Sequence, residues 1–160
     1  MITEDHSLHL QVSYFLALEA ELLDLGNFEG WLDLFADNGI YWVPSSSDQT
    51  DMQGQVSIMF EDVPLLKIRV ARLSHPRAYS VSPPPTTVHL VSNIMVQNSQ
   101  ENITVRSKFI VNEFRDDINT NFSGSAMHQL IPHENSFKIL LKRVDLVQAG
   151  GIFNGLSIPL

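Results

Sequence analysis

The stretch Val88-His89-Leu90-Val91-Ser92-Asn93-Ile94-Met95-Val96-Gln97, followed after residues 98–102 by Ile103-Thr104-Val105-Arg106-Ser107-Lys108-Phe109-Ile110-Val111-Asn112, decides the fold. In the first segment the even positions Val88, Leu90, Ile94 and Val96 are apolar, while His89, Asn93 and Gln97 fall on the opposite parity. In the second, Ile103, Val105, Phe109 and Val111 alternate with Thr104, Arg106, Lys108 and Asn112. Successive side chains of a strand point to opposite faces, so this period of two predicts two half-buried strands, with Val88 and Leu90 turned to the core. The polar run between them predicts a hairpin turn. A third strand is expected from about Phe122 to Ile131. A fourth begins with Phe137, Ile139 and Leu141 inward against Lys138 and Lys142 outward. Beyond Leu141 the apolar parity passes to Val144 and Leu146, which predicts a bulge near Lys142-Arg143 that bends the sheet.

Towards the N-terminus the period changes. Leu8, Val12, Phe15, Leu22 and Leu23 recur at helical spacing and predict one amphipathic helix from Leu8 to Leu25, with Glu19 and Glu21 facing water and Gly26-Asn27 ending it. A second helix is expected from Phe28 to Ala36, then a strand Ile40-Tyr41-Trp42-Val43 closed by Pro44, then a polar surface loop from Ser45 to Gln55. Asp62 is a good N-cap for a third helix carrying Pro64, Leu65, Leu66, Ile68, Val70 and Leu73 and stopping near His75-Pro76. Arg77 to Pro85 ends in three prolines and favours an extended course. The apolar tail Ile152, Phe153, Leu156, Ile158 and Leu160 belongs against the core. Helices followed by a bent antiparallel meander predict an α+β fold, a single domain over residues 1–160, in which the sheet curls around the helices as a cone.

Composition narrows the functional classes. Hydrophobic residues make up 44% and charged residues 18% of 160, which suits one packed core rather than a disordered chain. A formal net charge of -8 repels phosphate backbones and anionic lipid, so neither nucleic acid nor membrane is an expected partner. No stretch approaches the roughly 18 apolar residues of a membrane span, and the acidic start Met1-Ile2-Thr3-Glu4-Asp5-His6 does not read as a signal peptide, so a cytoplasmic location is expected. The chain has no cysteine, which rules out disulfides, thiolate nucleophiles and cysteine-ligated iron–sulfur clusters in this polypeptide.

Motifs for nucleotide binding and serine hydrolysis are missing, and Gly150-Gly151 opens no helix. His128, His133 and Glu134 imitate a two-histidine, one-carboxylate set, but they span a strand end and Pro132, where histidines are commonly just solvated. His6 and His9 share a helix face without a third ligand. His89 has two readings. Paired with Asp24 or Asp33 inside a curled sheet, it would serve a small dehydratase or isomerase. Alternatively it lies on the face opposite the apolar one and makes structural hydrogen bonds to a neighbouring strand or chain. Tyr41-Trp42 suits either an aromatic ligand or closure of the cone. Arg69, Arg72 and Arg77 form a basic patch or pair with the surplus carboxylates.

Trp31-Leu32-Asp33-Leu34-Phe35, Tyr41-Trp42-Val43-Pro44, Leu66-x-x-Arg69-Val70-x-Arg72-Leu73, His89-Leu90-Val91-Ser92-Asn93, Phe137-Lys138-Ile139 with Lys142-Arg143, and Leu156-Ser157-Ile158 occur in an order that resembles the small, or beta, subunit of aromatic-ring-hydroxylating dioxygenases. The resemblance implies a cystatin-like (NTF2-like) fold and a non-catalytic chain without cofactor or metal of its own. It also implies a homotrimer within a three-plus-three hexamer, whose large (alpha) subunits carry the Rieske 2Fe-2S cluster and the mononuclear iron. His89, Asn93, Arg72 and Arg77 are then the candidate subunit-interface residues. The sequence departs from the family pattern at Thr86, Val88 and Ser125, where arginines are common, and at Asn38, where an aspartate is usual.

Overall fold

The computed structural model describes residues 5–75, 83–149, 156, 159 and 160. Helix α1 runs from His6 to Asp24, α2 from Phe28 to Leu32 and α3 from Val63 to Leu73. Strands β1 (Phe35–Pro44), β2 (Ser57–Asp62), β3 (Thr86–Asn98), β4 (Ile103–Arg115), β5 (Ile118–His133) and β6 (Ser136–Leu146) form one six-stranded sheet in the order β2-β1-β6-β5-β4-β3. Every pairing is antiparallel except β1 with β6. The expected α+β architecture is the one found, with α1 lying against β3 in the hollow of the sheet.

Each helix begins and ends for a local reason. Asp5, Asn27 and Asp62 are N-caps whose side chains accept from the amides of Leu8, Gly30 and Leu65 at 3.2, 3.0 and 3.1 Å. Gly26, at φ +67°, closes α1: its amide donates to the Leu23 carbonyl at 3.1 Å and the Asn27 amide to that of Leu22 at 2.9 Å, which satisfies the last free carbonyls. The core is Val12, Phe15, Leu16 and Leu23 of α1 packed on Val105, Val111, Leu130, Ile139 and Val144 of the sheet. Trp31 joins it edge-on to Phe35 and Tyr41, with ring centroids 5.0 and 5.6 Å away.

The differences from the sequence reading share one cause, pairing between segments far apart in the chain. The second helix stops at Leu32, because Leu34 and Phe35 are drawn to β6, where the Ile139 amide donates to the Leu34 carbonyl at 2.8 Å. Strand β1 is therefore longer than expected, and β2, which follows the polar loop, pairs with it from Ile40 to Pro44. In β3 the register shifts between Ser92 and Met95, where Asn93 adopts φ +52°. This bulge puts Thr87, His89 and Val91 inside before it and Ile94 and Val96 inside after it. Val88 and Leu90, expected in the core, lie on the outer face and are exposed. In β6 the bulge falls at Leu140, two residues before the expected place, since Gln129 pairs with Leu141 and Leu130 with Ile139. Lys142, expected outside, consequently points into the core. The segment 76–82 and most of the tail lie outside the described residues; Leu156 is half-buried and Leu160 is buried.

Candidate functional site: the cone interior and the outer sheet face

Two places concentrate polar or unpartnered groups, one inside the cone and one on its outer surface. Inside, Glu19 sits on the same stripe of α1 as Val12, Leu16 and Leu23 and is only 3% exposed, contrary to the expectation that it faces water. Its Oε1 accepts from Lys142 Nζ at 2.5 Å and from Trp31 Nε1 at 3.2 Å, and its Oε2 is 2.8 Å from His128 Nε2. Burial by itself would raise the Glu19 carboxyl, but the charges of Lys142 and His128, with the hydrogen bonds they make, outweigh it and hold the group well below the usual carboxylate range. Lys142 also lies 5.9 Å from the centroid of the Tyr41 ring. Burial pushes the Tyr41 phenol well above its ordinary range, and its oxygen accepts from the Leu160 amide at 3.0 Å.

The second interior pair joins the end of α1 to β3. Asp24 accepts from the His89 backbone amide at 3.0 Å and from the Thr87 hydroxyl at 3.0 Å, and its Oδ1 lies 2.6 Å from His89 Nδ1. Of the two carboxylates named for His89, Asp24 is the one that meets it; Asp33 is exposed. The His89 side chain is 4% exposed. Burial lowers its pKa from the ordinary 6.5, against the opposing pull of the Asp24 hydrogen bond and with help from the Lys142 charge, so the ring favours its neutral form.

Both clusters border one cavity, walled by Leu16, Leu23, Val91, Phe109, Val144 and Leu160. Its free volume is about 30 Å³, room for one or two waters, whereas a benzene ring needs about 150 Å³. A histidine oriented by a carboxylate and facing a cavity has the geometry of a general base, but no substrate ring fits beside it.

The remaining candidates are scattered. Asn93 is exposed at the β3 bulge, Arg72 is exposed on α3, and Arg77 lies outside the described residues. Arg69 forks onto Glu61, with Nε 3.0 and 2.8 Å from its two oxygens. Trp42 is buried under the Arg143 guanidinium at 4.5 Å. His133 is exposed with Glu134 3.9 Å away, while His128, expected near a solvated strand end, is buried in the middle of β5 and faces away from that pair. Among the described residues no three His, Asp or Glu side chains converge as a metal site. The donor set for a Rieske cluster, two cysteines with two histidines, cannot be assembled from a chain without cysteine. No described helix is long and apolar enough to cross a membrane.

On the outer face of the sheet the β3 bulge leaves an apolar strip that sequence reasoning missed. Leu90, 62% exposed, stands directly opposite Ile110, 54% exposed, with Val88 and Phe114 beside them and all four turned to solvent. The signal was present in the run Val88-His89-Leu90-Val91, apolar on both parities at three of four positions, as a strand covered on both faces would be.

Comparison with known proteins fits this arrangement. Residues 18–150 match the family model described as ring hydroxylating beta subunit. The chain is 32% identical to the anthranilate 1,2-dioxygenase small subunit of Acinetobacter baylyi, over 82% of this chain and 85% of that one. It is also 32% identical to the small oxygenase component of the p-cumate 2,3-dioxygenase system of Pseudomonas putida, over 83% and 76%. In three dimensions it superposes on a chain of naphthalene 1,2-dioxygenase, solved with indole bound in the active site, with a TM-score of 0.86 at 20% identity, covering 100% of this chain and 89% of that one. Sequence match and fold agree over nearly the whole length: the chain belongs to the ring-hydroxylating beta-subunit family.

Proposed function

We propose that this chain is the non-catalytic small subunit of an aromatic-ring-hydroxylating dioxygenase and that it scaffolds large subunits which hold the Rieske cluster and the mononuclear iron. The observation that carries the reading is the family match over residues 18–150. The donor set supports the division of labour, since this chain has neither the cysteines for the cluster nor, among its described residues, a converging set for the iron. The assembly is a homotrimer within a three-plus-three hexamer, built from one domain per chain and working in the cytoplasm on an aromatic substrate bound by the large subunit.

The strip of Val88, Leu90, Ile110 and Phe114 is a surface for subunit contact, because contiguous exposed apolar groups on a sheet face are normally covered by a partner. Asn93 and Arg72 remain available for contacts at the surface. His89 contributes indirectly, by fixing β3 to the end of α1. A free-standing dehydratase or isomerase using His89 and Asp24 has the dyad in its favour, but about 30 Å³ leaves no place for its substrate.

The test is co-expression with the cognate large oxygenase chain, followed by native mass spectrometry and iron analysis. The expected result is a complex with equal numbers of the two chains and iron that follows the large one. A monomer that never enters the complex, or stoichiometric iron in the small chain alone, overturns the reading.

A further inference from the structure

Three buried polar atoms border the cone cavity without a hydrogen-bond partner among the described residues: Nε2 of His89, Nδ1 of His128 and Oγ of Ser107. All three belong to enclosed groups, the His89 and His128 side chains being 4% and 3% exposed and Ser107 3%. A buried polar atom left without a hydrogen-bond partner bears its desolvation cost uncompensated. Three such atoms on one small space call for a common partner.

The other ends of the two imidazoles fix what that partner must be. Nδ1 of His89 donates to Asp24, so its neutral ring turns a lone pair on Nε2 into the cavity. Nε2 of His128 donates to Glu19, which leaves Nδ1 of that ring as the second unpartnered nitrogen at the cavity. The two rings are oriented by their carboxylates through opposite nitrogens, so that the remaining nitrogen of each borders the same space. Ser107 adds a hydroxyl that donates or accepts. Two imidazole nitrogens facing one space would also suit a borderline divalent ion, but the Lys142 ammonium lines the same cavity and opposes a cation, and among the described residues no third strong ligand is present. An organic ring is too large.

We propose that the interior of the cone is a built binding site for one small neutral hydrogen-bonding molecule, water or a molecule of its size, held between Nε2 of His89, Nδ1 of His128 and Oγ of Ser107. The bound molecule joins the Asp24–His89 pair to the Glu19–His128–Lys142 cluster, so that α1, β3, β4, β5 and β6 share one continuous polar network. This inference does not depend on the subunit role, since it concerns only groups enclosed within this chain.

A crystal structure of the full chain, alone or in its complex, at a resolution that shows ordered water, is the direct test. Density within hydrogen-bonding distance of at least two of the three atoms, refining as oxygen in every copy, is expected. A dry cavity or an anomalous metal peak there overturns the proposal. Xenon pressurisation separates a wet site from a dry one, because apolar cavities take xenon and hydrated ones do not. The native crystal is expected to exclude xenon from this cavity, and a xenon peak overturns the proposal. Nitrogen-15 spectra of histidine-labelled protein are expected to show His89 as the Nδ1–H tautomer and a proton on Nε2 of His128; a His89 protonated on Nε2 instead overturns it. Water relaxation dispersion in solution is expected to count one or two long-lived waters per chain, falling by at least one in His89→Leu. Ser107→Ala is the second variant should His89→Leu not fold, and an unchanged count in the folded variant overturns the proposal.

Discussion

Glu19 occupies a position of α1 that helical spacing assigns to the core, between Leu16 and Leu23, and the fold meets its charge with Lys142, His128 and Trp31. Removing one member of a buried charged pair strands the other and costs about 3–5 kcal/mol, whereas replacing both with apolar groups of similar volume is often neutral. Glu19→Leu and Lys142→Met are each expected to lose stability on that scale. The double variant is expected to lose less than the sum, read as a double-mutant cycle from urea midpoints; simple additivity would show that the two groups act independently. The same residues set the pH response. The folded pKa of His89 lies below its ordinary 6.5, so as pH falls the unfolded chain takes up the proton first: the His89 contribution is full above about 6.5 and declines below it. The folded pKa of Glu19 lies below its ordinary 4.5, so its contribution is full above 4.5 and is lost as pH falls further. Urea midpoints are expected to drop in two stages over those ranges, and His89→Gln is expected to flatten the first stage while leaving the second.

At the scale of elements, what was legible in the sequence followed local rules, and what was not followed long-range pairing. Helix α3 was readable because Asp62 caps it, Pro64 fits its first turn and Leu66 and Val70 share a face. The β4 pattern was readable because no bulge interrupts its pairing with β5. The start of β1 was not, because Phe35 and Ala36 continue a helical apolar pattern and only β6 makes them a strand. The interior site was hidden for a related reason: a single inserted residue reverses the parity of everything on one side of it, so His89 and Lys142 change faces with the bulges at Asn93 and Leu140. Of the two carboxylates named in advance for His89, Asp24 is the one the fold brings to it and Asp33 stays exposed, a choice that only the packing of α1 on β3 makes. Two substitutions test the backbone reading. Asn93 holds φ +52°, which β-branched residues avoid, so Asn93→Val is expected to cost about 1–2 kcal/mol and Asn93→Gly far less. A methyl at Gly124 would lie 2.0 Å from the Asp145 carbonyl oxygen, so Gly124→Ala forces β5 from β6 and is expected to cost at least about 1–3 kcal/mol in urea unfolding.

At the scale of the whole molecule, the two surfaces of β3 divide the work between them. Its inner face, with Thr87 and His89 bonded to Asp24, fixes the strand to α1, and its outer face presents Val88 and Leu90 beside Ile110 and Phe114. A strand held on one side can offer a rigid apolar strip on the other, which is what a symmetric contact between copies, or a contact with a larger subunit, requires. The two roles are separable by mutation because the side chains alternate. Leu90→Asp and Ile110→Asp place charge on the strip without touching the core. Each is expected to leave the thermal unfolding of the isolated chain within about 0.5 kcal/mol of the parent, as surface substitutions do. Both together are expected to shift the chain towards monomer in sedimentation and to lower recovery of the complex with the large subunit. Asp24→Ala acts on the opposite face and is expected to lower stability while leaving the association state of the folded fraction unchanged. Should the two aspartates leave assembly intact, the strip is not the contact surface, and the exposed residues Asn93 and Arg72 become the next positions to test by the same pair of measurements.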